Sequence, residues 1–126
     1  MIINKSRVID IIGAPISLAS PEKGASLGPD AIRISGLKDS LAYLGLEFVD
    51  SGNLPILEEP YPVKIFEQGT IRYLDEVFDF LSLLKDKVEE SFNKGHFPLV
   101  LGGDHSMAMG SLAAAAKYYK SKNQKP

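Results

Sequence analysis

Three strand-then-helix units follow one another along this chain, and that order constrains the fold more than any other feature, because it is the pattern of a parallel α/β sheet. The first apolar run, Arg7–Ala14, is rich in Ile and Val and closes on Gly13-Ala14-Pro15. The second, Glu47–Asp50, is short, and the third, Pro98–Leu101, stops at Gly102-Gly103. Asp10 interrupts the first run, so it is expected near an edge or end of the sheet, or paired with a neighbour.

The segments between the runs read as helices and loops. Pro15–Leu27 is a loop with two prolines, and Pro29 is a helix-start signal because its missing N–H has no intrahelical partner to lose. A short helix over Pro29–Ser35 and a second over Leu37–Leu44 follow. Leu54–Pro62, with three prolines, reads as an irregular connection. Ile71, Leu74, Val77, Phe78, Leu81, Leu84, Val88 and Phe92 recur at steps of three and four, which predicts a long helix with one apolar stripe, ended by Asn93-Lys94-Gly95. Its charged face, including Arg72, Asp75, Glu76 and Glu90, is expected to be solvated. The last helix is predicted over Ser106–Tyr119, with Ala113–Ala116 small enough to pack closely against the sheet. The polar tail Lys120–Pro126 reads as a solvated connector.

Composition excludes several function classes. At 126 residues the chain is one domain's worth, with an ordinary 44% hydrophobic and 24% charged content. A net charge of −2 argues against a nucleic-acid surface, and the absence of cysteine excludes a thiol nucleophile, a thiolate metal site and a disulfide scaffold. No signal-peptide order opens the chain and no apolar run reaches membrane length, so the expectation is a cytoplasmic protein with neither membrane nor nucleic-acid partner. GxGxxG and GxxxxGK[ST] are both missing, so no dinucleotide or nucleoside triphosphate site is signalled.

The candidate site lies at Asp104-His105-Ser106, just past Gly102-Gly103, where open α/β sheets bind ligands beyond the carboxyl ends of their strands. In a parallel sheet, Gly13-Ala14-Pro15 reaches the same rim. A neutral imidazole is the commonest protein metal ligand, and a carboxylate nearby can fix its tautomer. Asp104 would repel an anion from this helix start, which favours a cation. Taken alone, however, a histidine after Gly-Gly-Asp is more often a hydrogen-bonded structural residue. A Ser–His nucleophile built from Ser106 and His105 fails because adjacent side chains rarely face each other and no GxSxG elbow occurs.

Several separated motifs together resemble the arginase family. Gly13-Ala14-Pro15 with Gly24, Gly28-Pro29, Ile32-Arg33 and Gly36-Leu37 looks like the family's opening, and Asp50-Ser51-Gly52-Asn53-Leu54-Pro55 looks like its next segment. Leu101–Gly110, LGGDHSMAMG, looks like its first metal motif. The resemblance runs from about Arg7 to Tyr119 and leans towards arginase over agmatinase and other ureohydrolases. It implies a three-layer α/β/α sandwich with a parallel sheet, of which the first three βα units are present. It also implies manganese-dependent hydrolysis of L-arginine to L-ornithine and urea, by hydroxide held between two Mn²⁺ ions, in a homo-oligomer.

By the same resemblance, His105 matches a metal ligand, Asp104 an orienting acid behind it, and Ser106 a hydroxyl expected to cap the helix. The family continues to an Asp-x-His-x-Asp cluster, a later Asp-x-Asp pair and a proton-transfer histidine, none of which occurs in this sequence. His96 sits before the third strand, at the wrong end for the site. Residues 1–126 are therefore expected to be the N-terminal part of an arginase-like domain, without catalytic residues, without a tight Mn²⁺ site and inactive alone. Agmatinase or another guanidino-substrate hydrolase is the alternative within the enzyme class. Outside it stands a self-associating or interaction module, built on an unpaired apolar edge at Leu99-Val100-Leu101.

Overall fold

The computed structural model describes residues 7–55, 65–70 and 72–124. Its elements run β1 (Ile9–Ala14), α1 (Gly28–Ile34), α2 (Leu37–Tyr43), β2 (Phe48–Asn53), α3 (Leu74–Asn93), β3 (Phe97–Gly102) and α4 (Met107–Ser121), with a 3-10 turn at Lys23–Leu27 before α1. The strands form one parallel sheet in the order β2-β1-β3. Each long-range crossover therefore returns to a neighbour of β1, and β1 is buried along its whole length. From residue 56 onward, the proline-rich connection lies outside the described residues, as do Ile71 and the last two residues of the tail.

Side-chain alternation along the strands divides the core between two faces. Ile9 and Ile11 of β1 join Leu99 and Leu101 of β3, and Leu37 and Leu41 of α2 cover them. Ile12 and Ala14 point the other way with Val100, under Val77, Phe80, Leu84 and Val88 of α3 and Ala114 of α4. The result is the expected α/β/α sandwich. No helix among the described residues is long and apolar enough to cross a membrane.

Two details differ from the sequence expectation, and a third decides between its alternatives. Along α3, Phe80 is 0% exposed whereas Phe78 and Leu74 of the expected stripe are 66% and 54% exposed. Phe80 lies three residues from Val77 and four from Leu84, so the true buried arc runs slightly to one side of the stripe. The small residues of α4 bring it close to α3 more than to the sheet: a Cβ on Gly110 would sit 2.9 Å from the Leu81 carbonyl oxygen. Stacking of Phe92 on Tyr118, 4.6 Å between ring centres, and a Glu89–Lys117 ion pair at 2.7 Å hold the far ends of these two helices together. Finally, of the settings expected for Asp10 the structure takes the paired one, near the amino end of the central strand. It is tolerated there because it is paired, accepting a hydrogen bond from Ser51 Oγ at 2.5 Å with His96 Nδ1 3.8 Å away.

Candidate functional site

The carboxyl ends of β1 and β3 lie side by side, Gly13 opposite Leu101 and Ala14 opposite Gly102. Pairing continues past the strands: the Gly103 N–H donates to the Ala14 carbonyl at 3.1 Å and the Asp104 N–H to the Ile16 carbonyl at 2.7 Å. Backbones this close leave no room for side chains. A Cβ on Gly103 would strike the Ile16 and Ala14 carbonyl oxygens, and one on Gly28 would strike the Gly102 carbonyl oxygen. The chemistry-bearing turn is thus wedged between the loop after β1 and the start of α1.

Asp104 is the fastener of this turn. Its carboxylate accepts from the Ala19 N–H at 3.0 Å through one oxygen, and from the Ser106 N–H at 2.9 Å and the Ser106 hydroxyl through the other. Residue 104 is 8% exposed, and these bonds satisfy a buried charge that would otherwise be costly. Ser106 occupies the cap position of α4, yet its side chain makes no capping bond to the helix backbone. The expectation that Ser106 caps the helix is therefore corrected. Asp104, two residues earlier, accepts the free amide at the helix start, and Ser106 donates to it.

His105 follows, exposed, at the mouth of the sheet. His96 lies at the opposite, amino end of β3 beside Asp10, as its place in the sequence implies. Among the described residues there is no group of three or more His, Cys, Asp or Glu side chains that could hold a metal ion.

A second polar cluster adjoins the rim, and sequence reasoning did not single it out as one. Arg33 on α1 grips Asp50 on β2 with two bonds, Nε to Oδ2 at 3.0 Å and Nη2 to Oδ1 at 2.9 Å. Its Nη1 also donates to Asn53 Oδ1, and Asn53 Nδ2 reaches Asp30 at 3.0 Å. Burial of the Asp50 carboxylate works against its charge, but the Arg33 and Lys38 side chains and the Gly52 N–H outweigh it and lower its pKa to about 2. Gly13 makes space for this cluster, since a Cβ there would collide with the Asn53 amide. The only sequence signal was the spacing of Arg33 and Asp50-Ser51-Gly52-Asn53 in two motifs. Nothing in that spacing shows that the two meet.

With this geometry described, the comparisons with known proteins are specific. The model of the Arginase family matches residues 7–125. An arginase of Staphylococcus aureus (strain COL) is 41% identical over 115 residues, which cover 91% of this chain and 38% of that protein. An arginase of Bacillus caldovelox is 39% identical over 114 residues. The native structure of a Bacillus caldovelox arginase superimposes with a TM-score of 0.80 at 38% identity, over 90% of this chain and 38% of that one. The chain thus spans little more than a third of the length of these relatives. A family model matched over residues 7–125, and a fold shared with a solved arginase at a TM-score of 0.80, place this chain in the arginase family.

Proposed function

We propose that this chain contributes one ligand to the dinuclear manganese centre of an arginase-like hydrolase acting on L-arginine. His105 is that ligand, and Asp104 holds its turn. The observation that carries the reading is the placement of His105: exposed, past the carboxyl end of β3, on a turn clamped by a buried carboxylate. Arginase names among the relatives, at about 40% identity, support arginine over other guanidino substrates. A homo-oligomer in the cytoplasm is the setting that goes with this reading.

The residues described do not by themselves fit a manganese pair. Two Mn²⁺ ions need several oxygen and nitrogen donors, whereas this stretch offers one imidazole and an Asp104 whose oxygens are both engaged. What the chain's own residues do is mechanical: the Gly103 and Asp104 amides dock the turn on the loop after β1, and Asp104 ties that loop to α4.

The test uses two lengths of protein. The 126-residue chain, given Mn²⁺ and L-arginine, is expected to release no urea; release would overturn the division of ligands. A form extended to the length of the relatives is expected to release urea from L-arginine and to lose that activity with H105A. Preference for agmatine or guanidinobutyrate would move the assignment to another amidinohydrolase, and full activity of H105A would remove His105 from the site.

A further inference from the structure

The cluster around Arg33 lies outside the turn that bears His105, yet it touches both supports of that turn. α1 carries Gly28 at one end and Arg33 at the other. Gly28 lies against the Gly102 carbonyl, where even a methyl group would collide. The Arg33 guanidinium lies beside Gly13, with Nη1 3.2 Å from where a Gly13 Cβ would stand. Gly13 in turn precedes Ala14, whose carbonyl receives the Gly103 amide. A guanidinium that grips a carboxylate with two parallel bonds fixes direction as well as distance, which a single ammonium does not.

We infer that Arg33 is a positioning residue for the His105 turn: by clamping α1 onto the carboxyl end of β2, it sets where Gly28 and Gly13 stand and so where β3 gives way to Gly103-Asp104-His105. This rests on the reading of His105 as the functional side chain. Lys38 supplies an internal control. It also binds Asp50, at 3.0 Å, but from α2, which carries neither Gly28 nor the Gly13 contact. Loss of Lys38 removes an ion pair from the same carboxylate without freeing α1.

The experiment compares R33M and K38M in the full chain by amide hydrogen exchange and by the ring resonances of His105. R33M is expected to speed exchange at Gly103 and Asp104 about tenfold or more, with shifted His105 resonances, while Phe80 and Leu84 of α3 stay within about twofold; an opening cheaper by about 1.4 kcal/mol corresponds to tenfold. K38M is expected to leave the turn as it is. A uniform loss of protection in R33M, an unchanged turn, or an equal effect of K38M would overturn the inference, because each is what a merely structural ion pair produces. Should R33M not fold, R33K keeps the charge without the two-pronged grip and is read in the same way. The measurement needs neither metal nor turnover, so its failure and a failure of the arginase reading are separate results.

Discussion

Gly102 and Gly103 stand next to each other in the motif, but the structure asks different things of them. A methyl group at 102 meets the flexible thioether of Met107, whereas at 103 it meets two backbone carbonyls that hold the turn. G103A is therefore expected to cost about 2–3 kcal/mol and G102A no more than about 1, from the general cost of overpacking; urea denaturation of the two variants checks the order. Asp50 gives a pH prediction. Its folded pKa of about 2 lies below the ordinary 3.8, so between those values the unfolded chain binds more protons than the folded one. The contribution of Asp50 is then fully present above about pH 4 and lost as pH falls through about 2. Acid titration of D50N, followed by circular dichroism, is expected to show a shallower stability loss across that window than the parent. Of these details, the place of the Asp104-His105 turn just past β3 could be read from the apolar run and Gly102-Gly103. The partner of Asp104 could not, since Ala19 lies 85 positions away and offers only a backbone amide.

At the scale of elements, sequence pattern located the α-helices and strands of the described residues, with ends displaced by a few residues, but read the 3-10 turn Lys23–Leu27 as loop. Its error on α3 has a physical origin. Phe78 and Phe80 are equally apolar, and only the position of the sheet and of α4 decides which one is covered. F80A is expected to destabilise by about 3–5 kcal/mol, as for large core deletions, while F78A stays within about 1 kcal/mol; thermal melts of the pair test this. Asp10 shows the converse. Its polarity suggested an edge, an end or a partner, and Ser51 on the neighbouring strand is that partner.

For the whole molecule, β3 is one of the two outer strands of the described sheet. The Phe97 N–H donates to Val8, just before β1, and the Gly103 N–H to Ala14 of β1, so by alternation the backbone groups at odd positions of β3 face inward, and those of Pro98, Val100 and Gly102 face outward. Proline offers no donor and Gly102 is screened by Gly28. The expected self-associating edge is consequently blunted, in the manner that proline protects sheet edges. P98V is expected to increase self-association over the parent chain, as light scattering at high concentration would show; an unchanged mass would mean that another surface governs assembly. The sequence offers an apolar edge here as one alternative, and the phase of the hydrogen bonds shows that Pro98 removes a donor from it.

The position of β1 has a bearing on how the chain is made. It leaves the ribosome well before β3, which is one of its two neighbours, with Ile9 opposite Phe97. At about 5–20 residues per second, its β3 side stays open for several seconds of synthesis, on the order of 5–20 s. Nascent chains stalled before residue 97 would therefore carry a naked, isoleucine-rich ribbon, the kind of surface that chaperones hold, and release from them should follow translation of β3.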